Sequence, residues 1–182
     1  MPARPGRGAG AARLAEILRV DHAGELAAVN IYRGQQAVFA AASGKAALAG
    51  RFKDLAEQEG EHLKAFDGLL AEHAVRPSLL TPFWRVAAFA LGAGTALMGE
   101  KAAHACTDVV EQVIEEHYAG QIEELGRREP ALARRLAQFR DDELSHQIAA
   151  VEEGARAAPG YPVLAAFIRA GCRAAIRTAE KL

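Results

Sequence analysis

The stretch EQEGEHLKAFDGLL, residues 57–70, sets Glu59 and His62 three positions apart and follows them with Leu63, Phe66, Leu69 and Leu70. Residues three apart share a face of an α-helix, so this carboxylate and imidazole point the same way. The spacing returns at Glu143 and His146 in FRDDELSHQIA (139–149), behind Leu132, Leu136 and Phe139. Two lone glutamates complete the pattern: Glu25 beside Leu26 and Val29, and Glu111 among Val109, Val110, Val113 and Ile114. The chain order is single Glu, Glu-x-x-His, single Glu, Glu-x-x-His. Carboxylates beside apolar stripes need something to compensate their charge. A four-helix bundle that turns all six side chains inward can hold two metal ions side by side. Oxygen and imidazole donors suit non-haem iron or manganese; zinc, which favours a single four-coordinate site, suits the set less well.

Length and composition agree with a helical reading. The 182 residues allow one domain with a real core, and strand signals are nearly absent. The formal net charge of -1 gives no sign of a nucleic-acid partner. Cys106 and Cys172 form no CxxC pair, so a reducing, intracellular compartment is expected. The opening MPARPGRGAGAARL lacks the apolar core of a signal peptide. Residues 1–10 read as a flexible leader ahead of a single helical domain, 11–182.

Helices are expected over about Ala11–Ala42, closed by Ser43-Gly44, and over Lys45–His73. After the Arg76-Pro77-Ser78 and Thr81-Pro82 breaks, one long run should extend from Pro82 to Arg128. Its glycines, at 92, 94, 99, 120 and 126, weaken a helix without stopping it. A further helix begins at Pro130 and reaches about Arg156. The last, Pro162–Lys181, carries Val163, Leu164, Phe167 and Ile168 on one face, with Arg169, Arg173, Arg177 and Lys181 on another. The most apolar stretch, Val86–Met98, is shorter than the roughly 20 residues a membrane-spanning helix needs. It reads either as a buried segment or as a face that dips into one leaflet. Glu25 and Glu59 are 34 residues apart, Glu111 and Glu143 are 32. This weak internal symmetry supports two matching ligand sets, although the halves share little else.

Other polar residues fall near the six. Asp21 and Asp142 are candidates to receive the second ring hydrogen of a ligating histidine. His22 lies three residues before Glu25, His104 two turns before Glu111, and His117-Tyr118 two turns after it. Cys106 points elsewhere and reads as packing.

These residues bring the chain close to a known family. The stretches RVDHAGELAAVNIYRGQQ (19–36), EQEGEHLKAFDGLL, LGAGTALMG (91–99), ACTDVVEQVIEEHYAGQI (105–122) and FRDDELSHQIA resemble the di-iron demethoxyubiquinone hydroxylases of ubiquinone biosynthesis, the Coq7 family. The resemblance implies an all-α, ferritin-like four-helix bundle with a di-iron centre and an additional C-terminal helix. It implies two iron ions per chain, held by Glu25, Glu59, His62, Glu111, Glu143 and His146. His117 and Tyr118 match the family's His-Tyr step, associated with hydrogen bonding or electron and proton transfer near the irons. His104 stands where the family usually has Met. The implied reaction is hydroxylation of the ring of a polyprenylated benzoquinol with O2, its electrons coming from NADH or from the quinol itself. The implied location is peripheral, on the cytoplasmic side of the cell membrane, as in a bacterial member. A homo-oligomer and an accessory protein of ubiquinone biosynthesis are partners the family allows. Other metallo-bundles share the Glu/His pattern, but a rubrerythrin would bring CxxC pairs and a ferritin has no use for the apolar 86–98 stretch. A helical membrane-surface scaffold with incidental Glu and His is the non-enzymatic alternative.

Overall fold

A computed structural model describes residues 9–181. The expected leader therefore lies outside the described residues except for Ala9 and Gly10, which already belong to the first helix. All regular structure among the described residues is helical: α1 (Ala9–Ala41), α2 (Ala46–Glu72), α3 (Thr81–Leu97), α4 (Glu100–Leu125), α5 (Pro130–Glu152), a 3-10 turn (Ala155–Ala157) and α6 (Tyr161–Ala179). The fold is all-α, a helical-bundle core with an additional C-terminal helix, in keeping with the ferritin-like expectation. The chain forms two compact units. The first runs to Gly94 and includes the chain from Ala174 onward; the second is Thr95–Arg173.

In the first unit α1 and α2 form an antiparallel pair. His22 meets Asp67, Tyr32 faces Phe52, and Phe39 also stacks on Phe52, at 5.6 Å between ring centres. Partner numbers on α2 fall as those on α1 rise. Phe52 and Phe66 are fully buried, as are Ile17, Leu18 and Tyr32 on α1. The connection into α3 is fixed at Ser78, whose carbonyl accepts from the Thr81 hydroxyl at 2.6 Å and whose hydroxyl accepts from Leu80 N–H. Backbone then approaches backbone where α3 crosses α1. A Cβ at Gly92 would run into the Ile31 carbonyl, and one at Gly34 into the Phe89 carbonyl. The last turns of α6 bring Ala179 and Ile176 against Val20, Ala23 and Trp84.

In the second unit α4 and α5 are also antiparallel, with Asp108 opposite Gln147 and Tyr118 opposite Phe139. Asp108, almost wholly buried, is the hub. Its carboxylate accepts from the Gln147 amide on α5, from the Arg156 guanidinium in the 3-10 turn and from the Tyr161 hydroxyl at the start of α6. Further along α6, Arg169 donates to Gln112 at 2.6 Å and Arg173 reaches Glu116 at 3.9 Å. Half of the basic row read from the sequence is thus the seam that lays α6 along α4.

Two boundaries differ from expectation. The run over 82–128 is two helices, because Gly99 takes φ 115°, a backbone state that glycine reaches without a Cβ clash. Helix α4 then restarts at Glu100, whose carboxylate suits the positive end of a helix. Helix α5 stops at Glu152 rather than near Arg156, where Gly154 turns left-handed at φ 90° and leads into the 3-10 turn.

The helix crossing yields a paired prediction. Gly92→Ala should lower unfolding stability by about 1–3 kcal/mol, because the added methyl meets backbone that cannot swing aside. Gly94→Ala, two residues away in open space, should be neutral or stabilising by up to about 1 kcal/mol. Urea unfolding measures both, and equal behaviour of the two variants would show that the close crossing is absent.

Candidate metal centre

Each pair of helices carries a set of donors at mid-length. In the first unit Glu25 comes from α1, and Glu59 and His62 from α2. His62 Nδ1 lies 3.6 Å from a Glu25 oxygen and 3.4 Å from a Glu59 oxygen. In the second, Glu111 comes from α4, and Glu143 and His146 from α5, with His146 Nδ1 3.7 Å from a Glu143 oxygen. The short gap within each Glu-x-x-His is the one the helix repeat dictates. All four glutamates have 0% exposure, and both histidines are buried.

The ligand atoms fall into two overlapping groups. Glu25, Glu59, His62 and Glu143 form one; Glu59, Glu111, Glu143 and His146 form the other, and within each group all donor atoms lie within 4.8 Å of one another. Donors that surround one small divalent ion at about 2.1 Å are at most about 4.2 Å apart. A 4.8 Å group therefore closes on an ion with only small movements. Glu59 and Glu143 occur in both groups, the arrangement expected of carboxylates shared by two ions. The charge fits as well: four carboxylates bound as anions would be balanced by two divalent cations. Structure and donor chemistry are those of a di-iron site.

The remaining expected residues lie around this set rather than in it. His22 donates from Nε2 to Asp67 at 3.1 Å. Burial lowers its pKa against the opposing pull of Asp67, so the ring is neutral near pH 7. Asp67 is a partner that local spacing does not reveal, since it sits 45 residues from His22. Asp21 is buried, whereas Asp142 is exposed at the surface of α5. His117 is half-buried and Tyr118 buried, two turns along α4 from Glu111. The Gln121 amide donates to His117 Nε2 at 2.8 Å. Among the described residues neither His117 nor His104 joins a donor group, though His104 is buried. Cys106 is packing, as expected: burial pushes its thiol up to about 12, and that of Cys172 to about 11. The Asp108 hub is a second feature that spacing alone does not show, because its partners lie 39–53 residues away.

The family profile of the ubiquinone biosynthesis protein COQ7 matches residues 12–179. The 3-demethoxyubiquinol 3-hydroxylase of Rhodospirillum rubrum is 47% identical over 178 residues, covering 98% of this chain and 82% of that protein. The mitochondrial NADPH-dependent 3-demethoxyubiquinone 3-hydroxylase of Homo sapiens is 45% identical over 170 residues, covering 91% and 76%. The mitochondrial 5-demethoxyubiquinone hydroxylase of Saccharomyces cerevisiae is 42% identical over 187 residues, covering 94% and 79%.

Glu59→Gln and Glu143→Gln test the shared carboxylates. Each should reduce bound iron from two per chain to well under one. Each should also raise the unfolding midpoint of the metal-free protein, because one of several mutually repelling buried charges is gone. Elemental analysis and thermal unfolding of the stripped protein read the two effects, and full iron content in both variants would remove the site.

Proposed function

This chain belongs to the COQ7 family of ubiquinone biosynthesis proteins, and from that premise we propose how it works as a di-iron monooxygenase that hydroxylates the ring of a polyprenylated demethoxyubiquinol with O2. The observation that carries the reading is the gathering of four fully buried glutamates and two histidines into two overlapping donor groups. Glu25, Glu59, His62, Glu111, Glu143 and His146 are the residues that would hold the two ions in this reading; Glu59 and Glu143 belong to both donor groups. The match over residues 12–179 as one unit supports a single functional domain over 11–182.

Bound iron supplies redox equivalents and Lewis acidity for the use of O2. The chain's own residues supply the setting. Phe52 and Phe66 on α2, with Leu136 on α5, are fully buried and keep water from the donors' layers. His117, held by Gln121, and Tyr118 are the groups we assign to proton handling: an imidazole that stores a proton and a phenol that donates one. Electrons come from NADH or from the quinol substrate; the chain has no GxGxxG fingerprint for a resident nicotinamide. The human relative's name ties that protein to NADPH.

The substrate's tail calls for an apolar route. Among the described residues no helix is long and apolar enough to cross a membrane. Helix α3 nevertheless exposes Phe83, Val86, Phe89 and Leu97, and α6 exposes Val163 and Phe167 by more than 70% each. Such side chains in water mark an interaction surface. We place the protein peripherally on the cytoplasmic side of the cell membrane, with these helices at the bilayer surface. A second copy of the chain or a substrate-delivering accessory protein is a further partner these exposed side chains would suit.

Two measurements test this reading. Iron-loaded protein given a quinol analogue and 18-O-labelled dioxygen should place label in the new ring hydroxyl; label confined to water or peroxide would indicate an oxidase. Phe89→Asp and Leu97→Asp should abolish binding to anionic lipid vesicles in a flotation assay while iron content stays unchanged. Wild-type binding by both variants would exclude α3 as the membrane face.

A further inference from the structure

The two lone glutamates open a longer repeat than their spacing suggested. Glu25 is followed by Tyr32, Gly34 and Gln35, and Glu111 by Tyr118, Gly120 and Gln121. The pattern Glu-x6-Tyr-x-Gly-Gln therefore occurs twice, and the halves share more than their metal-ligand spacing. Both tyrosines and both glutamines are buried. The copies differ just before the tyrosine. In the second copy that residue is His117, which takes a hydrogen from Gln121. In the first it is Ile31, which can neither give nor take one.

Tyr32 has 0% exposure, and its hydroxyl oxygen is buried with no hydrogen-bonding partner among the described residues. Buried tyrosine hydroxyls as a rule have partners. Packing fixes where this one sits. The ring stacks on Phe52 at 6.4 Å between centres, and Phe52 stacks in turn on Phe39. Tyr32 is seven residues after Glu25, and Phe52 seven before Glu59. In an antiparallel pair these rings form the layer two helical turns, about 10 Å, from the carboxylates. Aromatic side chains on a helix lean toward its N-terminus. For Tyr32 that direction is toward Glu25, and the hydroxyl is the leading atom of the ring.

We propose that Tyr32 presents its O–H to a small anionic ligand of the metal centre, of the hydroxide type, for which no acceptor among the described residues competes. The inference rests on the reading of Glu25, Glu59 and His62 as metal ligands. Tyr32 is then a second phenol of the site, matched by the repeat to Tyr118.

Azide, a small anion that accepts hydrogen bonds, is the probe. It is titrated into iron-loaded wild type and Tyr32→Phe and followed by its charge-transfer absorption. Tyr32→Phe should bind azide roughly tenfold more weakly, the loss of one hydrogen bond to a charged group. It should keep two irons per chain, and its metal-free form should unfold at the same or a higher urea concentration than wild type, since no protein contact is lost. Equal azide affinity would overturn the proposal. So would loss of iron or a less stable metal-free variant, either of which would give the hydroxyl a role in the ligand set or the fold. A wild-type chain that takes up no iron would instead fail the metal reading itself, and this proposal with it.

Discussion

The structure is organised around carboxylates that share a small volume and have no access to water. Two unit charges 4.8 Å apart at an effective dielectric of about 20 repel by roughly 3 kcal/mol, and each has also lost its hydration. Apolar packing supplies no charge to offset this, however well it fits. Two cations offset the burial of Glu25, Glu59, Glu111 and Glu143 as anions, since the number of carboxylates calls for two. Other features follow. The donors sit at the middle of their helices, away from frayed ends, and aromatic or aliphatic side chains such as Phe52, Phe66 and Leu136 occupy neighbouring turns. That arrangement keeps the local dielectric low and makes the interaction with the metals strong.

How much of this is legible in the sequence depends on the range of each interaction. Glu59-x-x-His62 and Glu143-x-x-His146 are readable because the helix repeat alone puts three-residue neighbours on one face. The lone glutamates are readable from the apolar residues around them. The break at Gly99 is not, since five glycines punctuate the 82–128 run and only the folded chain shows which one takes a left-handed backbone. Asp67 and Asp108 are also opaque. Their partners lie 39–53 residues away on other elements, and no local period relates them. The basic row of α6 was visible as a row, but its use was not: Arg169 and Arg173 are committed to Gln112 and Glu116.

Helix α3 shows why its apolar stretch admitted two readings from composition. One face is buried, and the other exposes large apolar side chains. Its fully buried positions are small, including Ala88, Thr95 and Ala96, with Gly92 at the backbone crossing; Phe83, Val86 and Leu97 face outward, while Trp84 is partly buried against Val20 and Ala23. This inverts the usual amphipathic helix, in which bulk goes inside and polarity outside. Small inner residues let the backbone of α3 lie directly on α1, which fixes the helix firmly despite the little side-chain volume it buries. A helix held by backbone contact is free to carry large apolar side chains on its other face, where ordinary packing would have consumed them.

The duplicated Glu-x6-Tyr-x-Gly-Gln module bears on the direction of the chemistry. Two like ions ask for like donors, and the two halves supply them: one lone Glu and one Glu-x-x-His each. A monooxygenase reaction is not symmetric in the same way, because one atom of O2 enters the ring and the other leaves as water. A site with two equivalent sides offers no reason for either atom to take either fate. The halves agree at the donor residues and at the buried tyrosines, and diverge at the residue just before the tyrosine, His117 in one and Ile31 in the other. The repeat keeps the donor pattern in both halves and breaks at one position, where one half has an imidazole bonded to Gln121 and the other an apolar side chain.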